Sequence, residues 1–207
     1  MPVLAPPPAR FFRAETYGFD PTTPTFTVEQ YQQMIRGGIL THDSKLELLE
    51  NYMVKKMPRN PPHDGTIQLV MASLMPHIPP GWNLRCQLTV VTGDSQPEPD
   101  FAIVKGTPRT YLEKHPSAKD VGLIIEVSDS SLLRDQRDKF RIFARAAVPC
   151  YWIMNLQESR IEVYTQPSGP NDVPAYREFR NYSVGESIPL VLDGVEVTSV
   201  PVADLLP

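Results

Sequence analysis

The chain reads as an α/β protein: a mixed β-sheet core flanked by helices, with an antiparallel extension at its C-terminal end. Three observations predict this. Helical and strand periodicities alternate from Thr27 to Cys150, the pattern of a sheet with helices on its faces. The apolar run 121–127 leads directly into Leu133, Gln136, Phe140, Phe143, Ala144 and Ala147, which recur at helical spacing. Beyond residue 150 the chain breaks into short apolar runs between polar turns, the mark of an antiparallel meander.

Taken in order, residues 1–25 are rich in proline and threonine and lack periodicity, which predicts an extended arm. Residues 26–207 are expected to form one domain, since no internal repeat or second boundary is visible. Thr27 and Gln30 match a capping box, Tyr31, Met34 and Ile35 follow on one face, and Gly37-Gly38 is a stop signal. A short helix 28–36 results. Residues 46–57 read as a hairpin with Glu47 on the face opposite Leu46 and Leu48. Residues 66–76 carry Ile67, Val70, Met71, Leu74 and Met75, an amphipathic helix turned toward a sheet. Strands are expected at 82–91, 100–104 and 121–127, with a long loop at 105–120 of the kind that carries binding residues. A helix over 130–147 follows, then strands at 150–154, 160–165, 176–182, 187–192 and 195–200, and a terminal turn at 203–206.

Composition narrows the function classes. A length of 207 residues with 41% hydrophobic content supports a real core. The 23 prolines are about double the usual share of roughly 5%, so much of the chain is connection. A net charge of −4 argues against non-specific coating of nucleic acid but leaves room for a local basic surface. Cys86 and Cys150 lie in separate apolar stretches without metal-type spacing, which predicts buried free thiols and a reducing, cytoplasmic setting. No stretch approaches the ~18 apolar residues of a membrane span, and the N-terminus lacks the apolar region of a signal peptide.

The chemistry gathers around two carboxylates. Glu126 interrupts an otherwise apolar strand, and burying it is costly unless a cation, donor or metal meets it. Asp100, after Pro99, opens another apolar run and so stands at a strand edge. Two acids on neighbouring strands can share a hard cation such as Mg²⁺, with the carbonyl of Val127 as a further oxygen ligand. Lys139 admits two readings: its amine reaches back to the strand end and stabilises developing charge, or it forms an ordinary i, i+4 surface pair with Asp135. Arg134, Arg137, Arg141 and Arg145 likewise read either as phosphate contacts or as a solvated helix face. The four histidines show no ligand spacing, and His63 reads as a cap or packing residue. No nucleophile elbow and no glycine-rich phosphate loop is present.

Five blocks in this order, LELLEN, PPHDGTIQLV, PEPDFAIV, LIIEVSDSS and DQRDKFRIFARAAVPCYWIMNL, resemble the Uma-two family of restriction endonucleases within the PD-(D/E)xK nuclease superfamily. The likeness runs from about Thr27 to Leu206. It implies a restriction-endonuclease-like fold and a metal-dependent endonuclease acting on DNA phosphodiesters, with Mg²⁺, or Mn²⁺ in its place. It implies that Asp100 and Glu126 are the metal carboxylates, that Lys139 is a lysine moved from strand to helix, and that Glu47 completes the site. Ser128 stands where the superfamily's strand lysine is usual, and Glu50-Asn51 where relatives commonly have Asp-Gly, a change expected to alter only a turn. A homodimer is expected by analogy. Two other readings remain open: a catalytically inactive nuclease-fold domain that binds nucleic acid or a partner, and hydrolysis of another phosphate ester.

Overall fold

The computed structural model describes residues 18–20 and 22–207. Most of the expected N-terminal arm, residues 1–17 and 21, lies outside the described residues. A helix α1 (Val28–Arg36) begins on the Thr27–Gln30 capping box, in which Gln30 N donates to Thr27 Oγ1 at 3.2 Å and Thr27 N to Gln30 Oε1 at 2.8 Å. Next comes a hairpin of β1 (Leu46–Leu49) and β2 (Tyr52–Lys55). Leu49 pairs with Tyr52, so Glu50 and Asn51 form a two-residue turn with φ of 50° and 68°, the left-handed pair that such hairpins require. Helix α2 (Pro61–Leu74) starts five residues earlier than its apolar stripe implies. Asn60 caps it and accepts from His63 N at 3.1 Å, and the prolines occupy first-turn positions where a missing N–H costs nothing.

The central sheet contains β3 (Trp82–Cys86), β4 (Phe101–Lys105), β5 (Val121–Ser128), β6 (Cys150–Asn155), β7 (Arg160–Pro167) and β8 (Tyr176–Ser183), hydrogen-bonded in that order. All neighbours are antiparallel except β5 and β6, which are parallel and joined by a helical crossover. β3 ends at Cys86, five residues short of the expected strand. Every residue of β5 is buried, which is why the central strand reads as a continuous apolar run. The C-terminal extension is a separate hairpin, β9 (Ser187–Leu192) with β10 (Val195–Pro201).

The crossover is not one regular helix. It consists of an α-helical turn α3 (Leu132–Arg134), a π-helical stretch Asp135–Lys139 and α4 (Phe140–Arg145). One sheet face, with Phe101, Ile103, Leu123, Ile125 and Trp152, packs on α2 and the β9–β10 hairpin. The other face, with Ala102, Ile124, Tyr151 and Ile153, packs on Ile142, Phe143 and Ala144 of α4. Alternation along β4 and β5 therefore assigns Asp100 and Glu126 to the α4 side.

Candidate active site

Phe101 pairs with Ile125, and the register continued by one residue sets Asp100 opposite Glu126 on the same face. Asp100 is fixed from three sides. Its Oδ2 accepts from Val127 N at 2.8 Å and lies 3.3 Å from His63 Nε2, and its Oδ1 accepts from Gln87 Nε2 at 3.4 Å. Burial raises this carboxyl, but His63, Lys139 and the Val127 amide more than offset it, so its pKa falls below the ordinary value.

Glu126 is 3% exposed, and its Oε1 accepts from Lys139 Nζ at 2.8 Å. The same ammonium lies 3.7 Å from Asp135 Oδ1. Burial would lower the Lys139 pKa, but Glu126, Glu47 and Asp135 drive it well above its ordinary value, so the amine keeps its proton. Burial, with Asp135 and Asp100 adding to it, pushes Glu126 well up as well, against the pull of Lys139. The two upward shifts have different causes: burial dominates at Glu126, whereas at Lys139 the surrounding carboxylates outweigh burial. Glu47 on β1 is 4% exposed and approaches the same ammonium, and its Oε2 accepts from Glu98 N at 3.4 Å.

The π-helical stretch brings its side chains down onto this row. Lys139 meets Glu126, Asp135 accepts from Ser128 Oγ at 2.7 Å and Ser131 Oγ at 2.6 Å, and Gln136 Nε2 donates to Glu162 at 2.9 Å. π-Helical turns inside α-helices commonly sit at functional sites, since the wider turn redirects side chains that a 3.6-residue repeat would turn away.

Several expectations from the sequence are corrected here. Asp135 and Lys139 are not a surface pair: they are 1% and 7% exposed. Ser128, in the place of the usual strand lysine, is a fully buried donor that holds Asp135. The helix arginines are not a free solvated face. Arg141 and Arg145 both bind the buried Glu50, Arg145 also meets Asp94, and Arg134 Nη1 donates to the Lys55 carbonyl at 2.9 Å. Glu50 thus does more than alter a turn, because it ties the hairpin to α4. His63 is not the cap, since Asn60 caps the helix and accepts from His63 N; the His63 side chain is largely buried, and its imidazole faces Asp100. Its position at a helix start was the one signal available, and nothing in the sequence pairs it with that acid.

Among the described residues, no three His, Cys, Asp or Glu side chains converge with metal-ligand geometry. The residues present nonetheless fit Mg²⁺, which takes one or two carboxylates and keeps several waters rather than requiring a full protein cage. Asp100 and Glu126 would be the oxygen donors. The charge balance points the same way: Asp135 Oδ1 is buried without a hydrogen bond, and Glu47, Asp100, Glu126 and Asp135 outnumber the single ammonium among them.

Among solved structures, the chain is similar to a putative nuclease from Anabaena variabilis, with 13% identity and a TM-score of 0.57, over 87% of this chain and 97% of that one. At that identity the likeness shows the fold, a nuclease fold. No curated protein matches the sequence. A family model described as putative restriction endonuclease matches residues 28–201, which include Glu47, Asp100, Glu126 and Lys139. The chain belongs to this family, Uma2 (Uma-two).

Proposed function

We propose that the chain is a Mg²⁺-dependent endodeoxyribonuclease that hydrolyses DNA phosphodiester bonds, with Mn²⁺ able to replace Mg²⁺. Asp100 and Glu126 hold the metal, with the Val127 carbonyl as a further ligand, and Glu47 supports the site. When bound, the metal polarises the phosphoryl oxygen and lowers the pKa of a coordinated water. Lys139, kept protonated by its acidic surroundings, orients the attacking water and stabilises charge building on the phosphate. Val127 N and His63 fix the Asp100 carboxylate so that its orientation is set before substrate arrives.

The observation that carries this reading is the Lys139 ammonium 2.8 Å from Glu126, with Asp100 across from that acid in register. A helix-borne amine thereby occupies the neighbourhood that Ser128 leaves without one. The test is cleavage of supercoiled plasmid DNA with Mg²⁺ or Mn²⁺. Asp100→Ala and Glu126→Ala are expected to abolish cleavage while keeping the circular dichroism of the parent. Undiminished cleavage in both variants refutes the proposal, and DNA binding without cleavage by the parent replaces it with an inactive nuclease-fold binding domain. The same reading includes a homodimer, checked by light scattering at micromolar concentration, where a monomer alone removes it.

A further inference from the structure

Arg85 lies on β3, an edge strand of the central sheet, and is 8% exposed. It pairs with Ala102, which puts it on the same face as Asp100 and Glu126. Among the described residues its guanidinium has no carboxylate partner and no hydrogen bond, and Nε is shut off from solvent without an acceptor. The Tyr111 ring lies 5.3 Å from it, on the 3₁₀ turn Pro108–Tyr111 in the long 105–120 loop, and its charge reaches His115 of the same loop, whose pKa partial burial first and Arg85 second hold down. Arg141, Arg145 and Arg160, which are less buried, each meet a carboxylate. Burial pushes the Arg85 pKa below its ordinary value, yet a guanidinium stays charged in proteins. A buried cation without an anion is destabilising, and an aromatic face offsets only part of that.

The position gives the missing anion a chemistry. Two residues along the chain from Arg85, Gln87 donates to Asp100. Arg85 also stands opposite Ala102, two residues along from Asp100, an extended step of about 7 Å, the scale of the interval between neighbouring phosphates on a nucleic-acid strand. The loop that brings Tyr111 to Arg85 also carries the exposed Arg109, Lys114 and His115. We propose that Arg85, seated on the Tyr111 ring, binds a backbone phosphate of a nucleic-acid strand, next to the phosphate presented to Asp100 and Glu126. The identity of the strand rests on the nuclease reading, whereas the anion site rests on Arg85 itself. A guanidinium fork suits two oxygens of one phosphate, which makes this a positioning contact rather than a reader of base sequence.

Two measurements on the full chain test it, with Arg85→Met and Arg85→Lys. The first is thermal melting with inorganic phosphate against chloride at equal ionic strength. Phosphate is expected to raise the melting temperature of the parent but not of Arg85→Met. Without phosphate, Arg85→Met is expected to melt at or above the parent, because an unpaired buried charge has been removed. The second is fluorescence anisotropy of a labelled DNA oligomer in EDTA, where no cleavage occurs. Arg85→Met is expected to bind about tenfold more weakly, with a salt slope smaller by about one, and Arg85→Lys to recover part of the loss. Parent-like affinity and slope in Arg85→Met overturn the proposal, as does a fall of several degrees in its melting without ligand. A phosphate effect without a DNA effect assigns the site to free phosphate and overturns the strand assignment. If the parent cleaves DNA and Arg85→Met binds normally, this inference fails while the nuclease reading stands. If Arg85→Met binds weakly and the parent cleaves nothing with either metal, the strand contact stands and the hydrolytic reading fails.

Discussion

Replacing Glu50 with alanine removes the carboxylate that ties the β1–β2 turn to α4. The side chain is fully buried and accepts from Arg141 Nε at 3.0 Å and Arg145 Nη1 at 2.7 Å. Removing one member of a buried ion pair costs about 3–5 kcal/mol. The low end applies here. The two guanidinia are 22% and 16% exposed, and each keeps a second carboxylate, Asp138 at 3.6 Å from Arg141 and Asp94 at 2.9 Å from Arg145. A loss of about 3 kcal/mol lowers the melting temperature of a chain this size by about 6–12 °C. The pH dependence has a definite sign. Burial raises the Glu50 pKa, but Arg141 and Arg145 bring it below the ordinary 4.5. A carboxylate with a lowered folded pKa stabilises above its unfolded pKa and loses that contribution as pH falls through the folded value. The gap between parent and Glu50→Ala should therefore be full at pH 7 and shrink below about pH 4.5. Melting by differential scanning fluorimetry across this range measures it. Equal melting temperatures at pH 7, or a gap that widens on acidification, would refute the reasoning.

Other perturbations bear on the site and the core. Lys139→Met should lower DNA cleavage by a factor of about 10²–10⁴. It should also leave Glu126 and Asp135 without their ammonium, and burial raises both carboxyls. A group with a raised folded pKa destabilises as pH climbs from its unfolded toward its folded value, so the urea midpoint of Lys139→Met should fall by more than the parent's as pH rises above the ordinary carboxylate range. A flat difference contradicts the buried cluster. Gly122→Ala should destabilise by about 1–3 kcal/mol, because the added Cβ would lie 2.6 Å from Trp82 Cζ3 and 2.9 Å from Leu192 Cδ2. Denaturant unfolding with the parent's midpoint would show that Trp82 and Leu192 both yield freely and would contradict tight packing at this point.

Much of the architecture was legible because burial leaves a period in the sequence. The capping box at Thr27 and the run 121–127 pointed to elements the structure contains, as did the two C-terminal strands. What escaped was structure without a period. A π-helical stretch has the same composition as an α-helix, so Asp135 and Lys139 looked like neighbours on a surface turn. Asn60 and two prolines start α2 ahead of its first apolar residue, which hid His63 from Asp100. The buried contacts of Glu50 with Arg141 and Arg145 join residues some 90 positions apart, a distance that no local pattern spans. The same holds for Arg85, whose isolation is visible only once its neighbours are known.

The measurement closest to the central claim is anomalous diffraction from crystals of the full chain soaked in Mn²⁺. A peak between the Asp100 and Glu126 carboxylates, lost in Asp100→Ala, is the expected result. A well-ordered site with both acids in place and no peak there would contradict it.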